Sequence, residues 1–93
     1  MRTIDRPSSF KRDDKREAKG RYRKTLDVAL VPVLTALVTD QTLAPRYRDH
    51  DLTGDWAGHR ECHLKPDLLL IYRKIGDESL TLVRLGSHSE LFG

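Results

Sequence analysis

Five consecutive large apolar residues, Leu68-Leu69-Leu70-Ile71-Tyr72, constrain this chain more than any other feature. Side chains of a strand alternate between the two faces of a sheet. A run that is apolar on both faces therefore marks a central strand, covered on both sides. Turn residues flank it. Pro66-Asp67 precedes the run and Gly76-Asp77-Glu78 follows it. Residues 58–65, 68–74 and 80–85 thus read as three strands joined by consecutive antiparallel hairpins. At 93 residues the chain supplies one modest core, so residues 1–93 form a single domain of two layers.

The second layer is helical. Leu26, Leu30, Val33, Leu34, Leu37 and Val38 recur at three- and four-residue intervals, which predicts a core helix over residues 25–40. Pro32 lies inside that stripe and is expected to kink the helix, since it removes a backbone donor and crowds the preceding turn. Upstream, residues 3–6 read as a short strand stopped by Pro7. Ser8 or Ser9 then offers an N-cap for a very polar helix from Phe10 to Ala18, with Gly20 as its stop. That helix is expected to bury only Phe10, Ala18, Tyr22 and some Lys and Arg stems. Residues 41–57 form a loop longer than a connection requires, and its Leu43, Tyr47, Leu52 and Trp56 predict that it is ordered against the body.

Charge is unevenly spread. Residues 1–24 carry ten Lys or Arg against four acids, whereas residues 25–93 carry seven against ten. A basic segment on a near-neutral body suits a polyanion, of which nucleic acid is the commonest, although a solvated helix face has the same composition. No apolar run approaches the roughly 20 residues that span a bilayer. The N-terminus has no apolar stretch behind its charges, and Cys62 stands alone. Together these predict a cytoplasmic protein with no membrane partner and no intrachain disulfide.

Four histidines, His50, His59, His63 and His88, all fall in the second half of the chain. Strand alternation sets His59, Glu61 and His63 on an exposed face and turns Arg60, Cys62 and Leu64 toward the core. Asp67 follows the turn after His63, and His88 follows the last strand. Imidazole exchanges protons near neutral pH. Two histidines as base and acid, with an arginine for phosphate charge, suffice for RNA cleavage by its own 2′-hydroxyl without a metal or other cofactor. Arg84 is placed to supply that charge, and Phe92 to stack on a base. A metal site built on His59, His63, Cys62 and Asp67 is the competing reading. Alternation turns Cys62 away from the two histidines and weakens it.

Three stretches carry a family resemblance: residues 43–58 (LAPRYRDHDLTGDWAG), residues 60–72 (RECHLKPDLLLIY) and residues 82–93 (LVRLGSHSELFG). They resemble the YafQ-type toxins of the RelE/ParE superfamily, strongly over residues 43–93 and only in architecture over 1–42. The resemblance implies an α+β fold, β-α-α-β-β-β, with two helices on one face of a twisted antiparallel four-stranded sheet. It also implies a metal-independent endoribonuclease that cuts mRNA in the ribosomal A site and is blocked by a cognate antitoxin. On that resemblance His50 is the general base, His88 the general acid, His63 and Asp67 position the scissile phosphate, and Phe92 holds the base. Arg84 is added from charge and position alone. The basic N-terminal region would then face ribosomal RNA. Leu68, where such toxins often have Trp, His59, where they have an aromatic, and Pro32 depart from the pattern. A toxin of the same fold that binds and inhibits gyrase is the alternative, but it has no use for three titratable groups around one groove. A fold-mate that only binds antitoxin or DNA is a third.

Overall fold

Leu70 lies at the middle of the sheet, as its run of apolar neighbours requires. The computed structural model describes residues 1–93. In chain order the elements are β1 (Thr3–Asp5), α1 (Ser8–Lys19), α2 (Leu26–Val38), β2 (His50–Asp51), β3 (Arg60–Lys65), β4 (Leu68–Ile75), β5 (Ser79–Gly86) and α3 (His88–Phe92). Single turns of 3-10 helix occur at Pro45–Tyr47 and Gly54–Trp56. The strands are ordered β1-β5-β4-β3-β2, so β4 is central.

Both faces of β4 are covered. On one, Leu70 and Tyr72 join Leu80, Leu82 and Leu85 against the α2 stripe and Phe10. On the other, Leu69 and Ile71 pack with Leu91 of α3, and Leu52, Trp56 and Val83 lean on them. Leu68 to Ile71 are fully enclosed, and Tyr72 is 1% exposed. Leu68 lies in the α2-side core. The residue that departs from the family pattern therefore fills the core and does not face the histidines.

The α+β class stands, with three corrections. The sheet has five strands, not four, because the loop before β3 contributes His50–Asp51 as an edge strand paired with Arg60–Glu61. Two polar residues carry no alternation signal. The sheet is mixed, because β1 runs parallel to β5, with Ile4 opposite Leu80. Tight turns set the direction of β3, β4 and β5, whereas two intervening helices separate β1 from any strand. Finally, a third helix is present: α1, through Phe10, and α2 share the core on one face, with α1 also sealing the β5 edge, and α3 covers the other face.

That seal explains the polarity of α1. Beyond the β1 pairing the β5 edge is open, and helix side chains occupy its backbone groups. Ser9 Oγ donates to the Val83 carbonyl at 3.2 Å, the Leu85 amide donates to Asp13 at 3.0 Å, and Arg16 donates to the Leu85 carbonyl at 2.9 Å. An unpaired edge left bare invites association with other chains. Ser8 and Ser9 thus lie within the helix, after Pro7. Asp13 and Glu17 are buried where Ala18 was expected, and Ala18 is exposed. Gly86 permits the close approach: a Cβ there would lie 2.7 Å from Arg16 Nη2. Helix α2 runs continuously through Pro32, whose missing N–H leaves the Val28 carbonyl without its usual partner. Val28 is 76% exposed, so the proline sits on the solvent side of the helix, where the lost bond costs least.

Candidate active site

The site begins with the way His50 is held. Asp49 and Asp51 flank it, and Arg60 of β3 clamps both, at 3.1 Å and 2.6 Å. The Tyr72 hydroxyl donates to Asp49 from below. Burial and the bond to Asp49 push that phenol well above its ordinary range, so it stays a neutral donor. With its neighbours fixed toward one side of the short strand, His50 points to the other. Its Nδ1 lies 2.6 Å from the Arg48 carbonyl. Only a protonated nitrogen can bond a carbonyl, so Nε2 carries the free lone pair.

Glu61 sits opposite His50 in register, on the face of β3 that also carries His63. The carboxylate is 4% exposed, with Oε1 3.3 Å from His63 Nε2 and 4.0 Å from His50 Nε2. Alternation assigns Glu61 to the correct face but to solvent. In the structure β2 and the two rings cover it. A buried acid between two histidines fixes the orientation of their rings. Replacing Glu61 by Gln keeps its shape and removes its charge. Turnover should fall about ten- to a hundredfold with KM little changed. A drop in melting temperature with turnover intact would make Glu61 structural only.

The third histidine arrives on α3. Ser87 caps this helix in a reciprocal box with Glu90, so His88 takes the first helical position. Its backbone N–H donates to Asp67 at 3.3 Å, and its Nδ1 stands 3.7 Å from the same oxygen. The turn before β4 thereby tethers the start of α3. The rings form a row: His50 to His63 is 6.5 Å and His63 to His88 is 5.9 Å between centroids. Phe92, one turn further along α3, lies 6.1 Å from His88 and 6.0 Å edge-on to Trp56. Phe92 is 42% exposed, so Trp56 props its ring from within and leaves the outer face free.

His50, His63, Asp67, His88 and Phe92 are thus brought together. Arg84 is opposite Ile71 in register, but its guanidinium turns to α1 and holds Asp13 through Nε at 2.6 Å and Nη2 at 3.2 Å. Position in sequence does not reveal that partner, because Asp13 lies 71 residues away. His59 faces elsewhere, its Nδ1 3.2 Å from the Trp56 carbonyl. Cys62 is enclosed in the α2-side core, where burial above all, with Asp49 and Glu61 nearby, pushes its thiol up to about 12. It cannot share a metal with His63 on the opposite face.

Comparison with known proteins follows the same outline. The family model for the bacterial toxin of type II toxin-antitoxin system, YafQ, matches residues 2–93. The mRNA interferase toxin YafQ of Escherichia coli K12 is 37% identical over 87 residues, covering 83% of this chain and 94% of that protein. The crystal structure of the E. coli DinJ-YafQ complex contains a chain 35% identical, with full coverage of both chains and a TM-score of 0.84. A copper-bound mutant toxin from Helicobacter pylori is 42% identical, covering 99% of this chain and 100% of that one, with a TM-score of 0.84.

Proposed function

The chain belongs to the YafQ family of bacterial type II toxin–antitoxin toxins, and from that membership we propose that it is an mRNA interferase cutting messenger RNA in the ribosomal A site. As a type II toxin it has a cognate antitoxin, as the E. coli relative crystallised with DinJ does. The observation that carries the reading is the row of three imidazoles ending beside a half-exposed phenylalanine. A toxin that acts only by binding has no need of it.

In the proposed reaction His50 Nε2, the nitrogen left unprotonated by the bond to Arg48, takes the proton of the 2′-hydroxyl. The 2′-oxygen attacks phosphorus, the bond from phosphorus to the 5′-oxygen breaks, and protonated His88 gives its proton to the departing oxygen. The products are a 2′,3′-cyclic phosphate and a free 5′-hydroxyl. His63, held by Glu61, stands between the two and stabilises charge on the phosphate. Asp67 orients His88, and Phe92 stacks on the neighbouring base. Arg84, held by Asp13 against α1, takes no part in these steps. No three His, Cys, Asp or Glu side chains are grouped to hold a metal such as the copper of the H. pylori toxin, and no step is routed through one.

Helix α1 supports the ribosomal setting. It turns Asp13 and Glu17 inward and leaves Lys11, Arg12, Lys15 and Lys19 exposed, an outward face that suits ribosomal RNA. No helix is long and apolar enough to cross a membrane, and ribosomes place the work in the cytoplasm. The test is cleavage mapping on programmed ribosomes with toxin stripped by EDTA and desalted beforehand. A cut inside the A-site codon, with the same message left whole when ribosomes are omitted, is expected. An intact message would overturn the reading, and activity recovered only with added zinc or copper would overturn its metal independence.

A further inference from the structure

Beside the histidines the open edge of β3 borders a groove that the reaction above does not use. β2 pairs with only Arg60 and Glu61, so from Cys62 onward that edge faces the Pro45–Tyr47 turn and the outer side of α2. The groove between them has a volume of about 650 Å³ and is continuous with the site through His63, which lines its mouth. Arg46, Arg48 and Lys65 stand around it, and no Asp or Glu lines it. None of these three cations is in an ion pair. What sets them apart from the other unpaired cations of the surface is that they converge on one groove that opens onto His63. Arg46 lies over the Tyr47 ring at 4.9 Å, a stacked arrangement that leaves one face of the cation outward. The floor is Val28, Ala29 and Pro32 of α2 with Leu64, an apolar surface between the cations.

Resting on the ribonuclease reading, we propose that this groove binds single-stranded RNA beside the scissile phosphate, with Arg46, Arg48 and Lys65 on its phosphodiesters and the α2 apolar surface under a base. Three unpaired cations without an acid, opening directly onto His63, match a phosphodiester chain continuous with the one being cut. The strand is the messenger itself, because the groove opens onto His63 and so continues the path of the phosphodiester being cut.

The experiment measures affinity of the full chain for a 2′-O-methyl RNA octamer, which cannot be cleaved, from 0.05 to 1 M salt. Removing two groove cations in Arg46→Gln/Lys65→Gln should lower the slope of log affinity against log salt by roughly 0.7 per cation. At 0.1 M salt that is a loss of about fivefold per cation relative to 1 M. Arg73→Gln/Lys74→Gln, the same charge change at the far end of β4, should leave the slope unchanged. Equal effects from the two pairs, or none from the first, would overturn the groove. So would a variant that binds RNA normally and loses only antitoxin, because the groove would then be a protein-binding surface. A 4-thiouridine placed next to the cut in ribosome-bound message should crosslink to this groove if the messenger fills it. A crosslink to ribosomal RNA alone, with none to the groove, would overturn the assignment to the messenger. Unaltered cleavage by wild type alongside an unaltered slope in the variant would sink the groove and leave the ribonuclease standing. Absence of A-site cleavage by wild type would sink the ribonuclease by itself.

Discussion

Replacing His88 by alanine should lower A-site cleavage by about a thousandfold while the protein stays folded, within the range that a single general acid contributes. The side chain is 58% exposed and no core residue depends on it. The bond that ties it to Asp67 includes a backbone N–H, which alanine retains. Alanine is also the better helix former, so α3 itself gains slightly. What disappears is the proposed proton donor at one end of the imidazole row and the ring that Phe92 faces. Single-turnover cleavage on programmed ribosomes measures the loss, and a thermal melt with an antitoxin-binding assay controls for folding. Full cleavage by the variant would remove His88 from the chemistry.

Asp13→Ala should produce the largest loss of stability of any single polar substitution, about 3 kcal/mol. Its carboxylate is 3% exposed and serves Arg84, Arg16 and the Leu85 amide together. Alanine leaves that amide without a partner and the Arg84 guanidinium beside an apolar wall. Arg16, at 40% exposure, recovers water and contributes little to the cost. The effect carries a pH signature. Burial works to raise the Asp13 pKa, but the Arg84 hydrogen bond, the Leu85 amide and the charges of Arg84 and Arg16 outweigh it and hold the pKa below the ordinary value. A depressed carboxylate stabilises fully above its unfolded pKa of about 4, and that contribution is lost as pH falls through the lower folded value. Urea unfolding should therefore show a constant gap between wild type and variant near neutrality, closing in acid. A gap that widens in acid would reverse the assignment.

The central strand, the two flanking hairpin partners and the α2 stripe are legible from the residues alone, because hydrophobic periodicity and turn chemistry are local signals. What escaped is what depends on partners distant in sequence. The β1 direction is fixed by pairing with Ser79–Thr81, and β2 exists because Arg60 clamps both aspartates around His50. Asp13 reads as a surface charge until Arg84 is seen against it. Glu61 shows the same failure most clearly: alternation finds its face, while its burial comes from a strand too short to detect. The histidines themselves were found as residue types, but their spacing in a row required the fold.

The α3 helix has a further consequence. It is five residues long, far below the length at which a helix holds together in water, and Leu91 is its one buried residue. Its remaining ties are the Ser87–Glu90 box, Glu90 to Arg16 at 3.0 Å, and Asp67. The proposed proton donor and base-holding ring therefore ride on a short element with a single buried side chain. Releasing it should cost less free energy than melting the sheet, so α3 is where local opening is expected first, and such opening would silence the proposed chemistry while the core stays native. Whatever grips α3 from outside would bias that opening without touching the core.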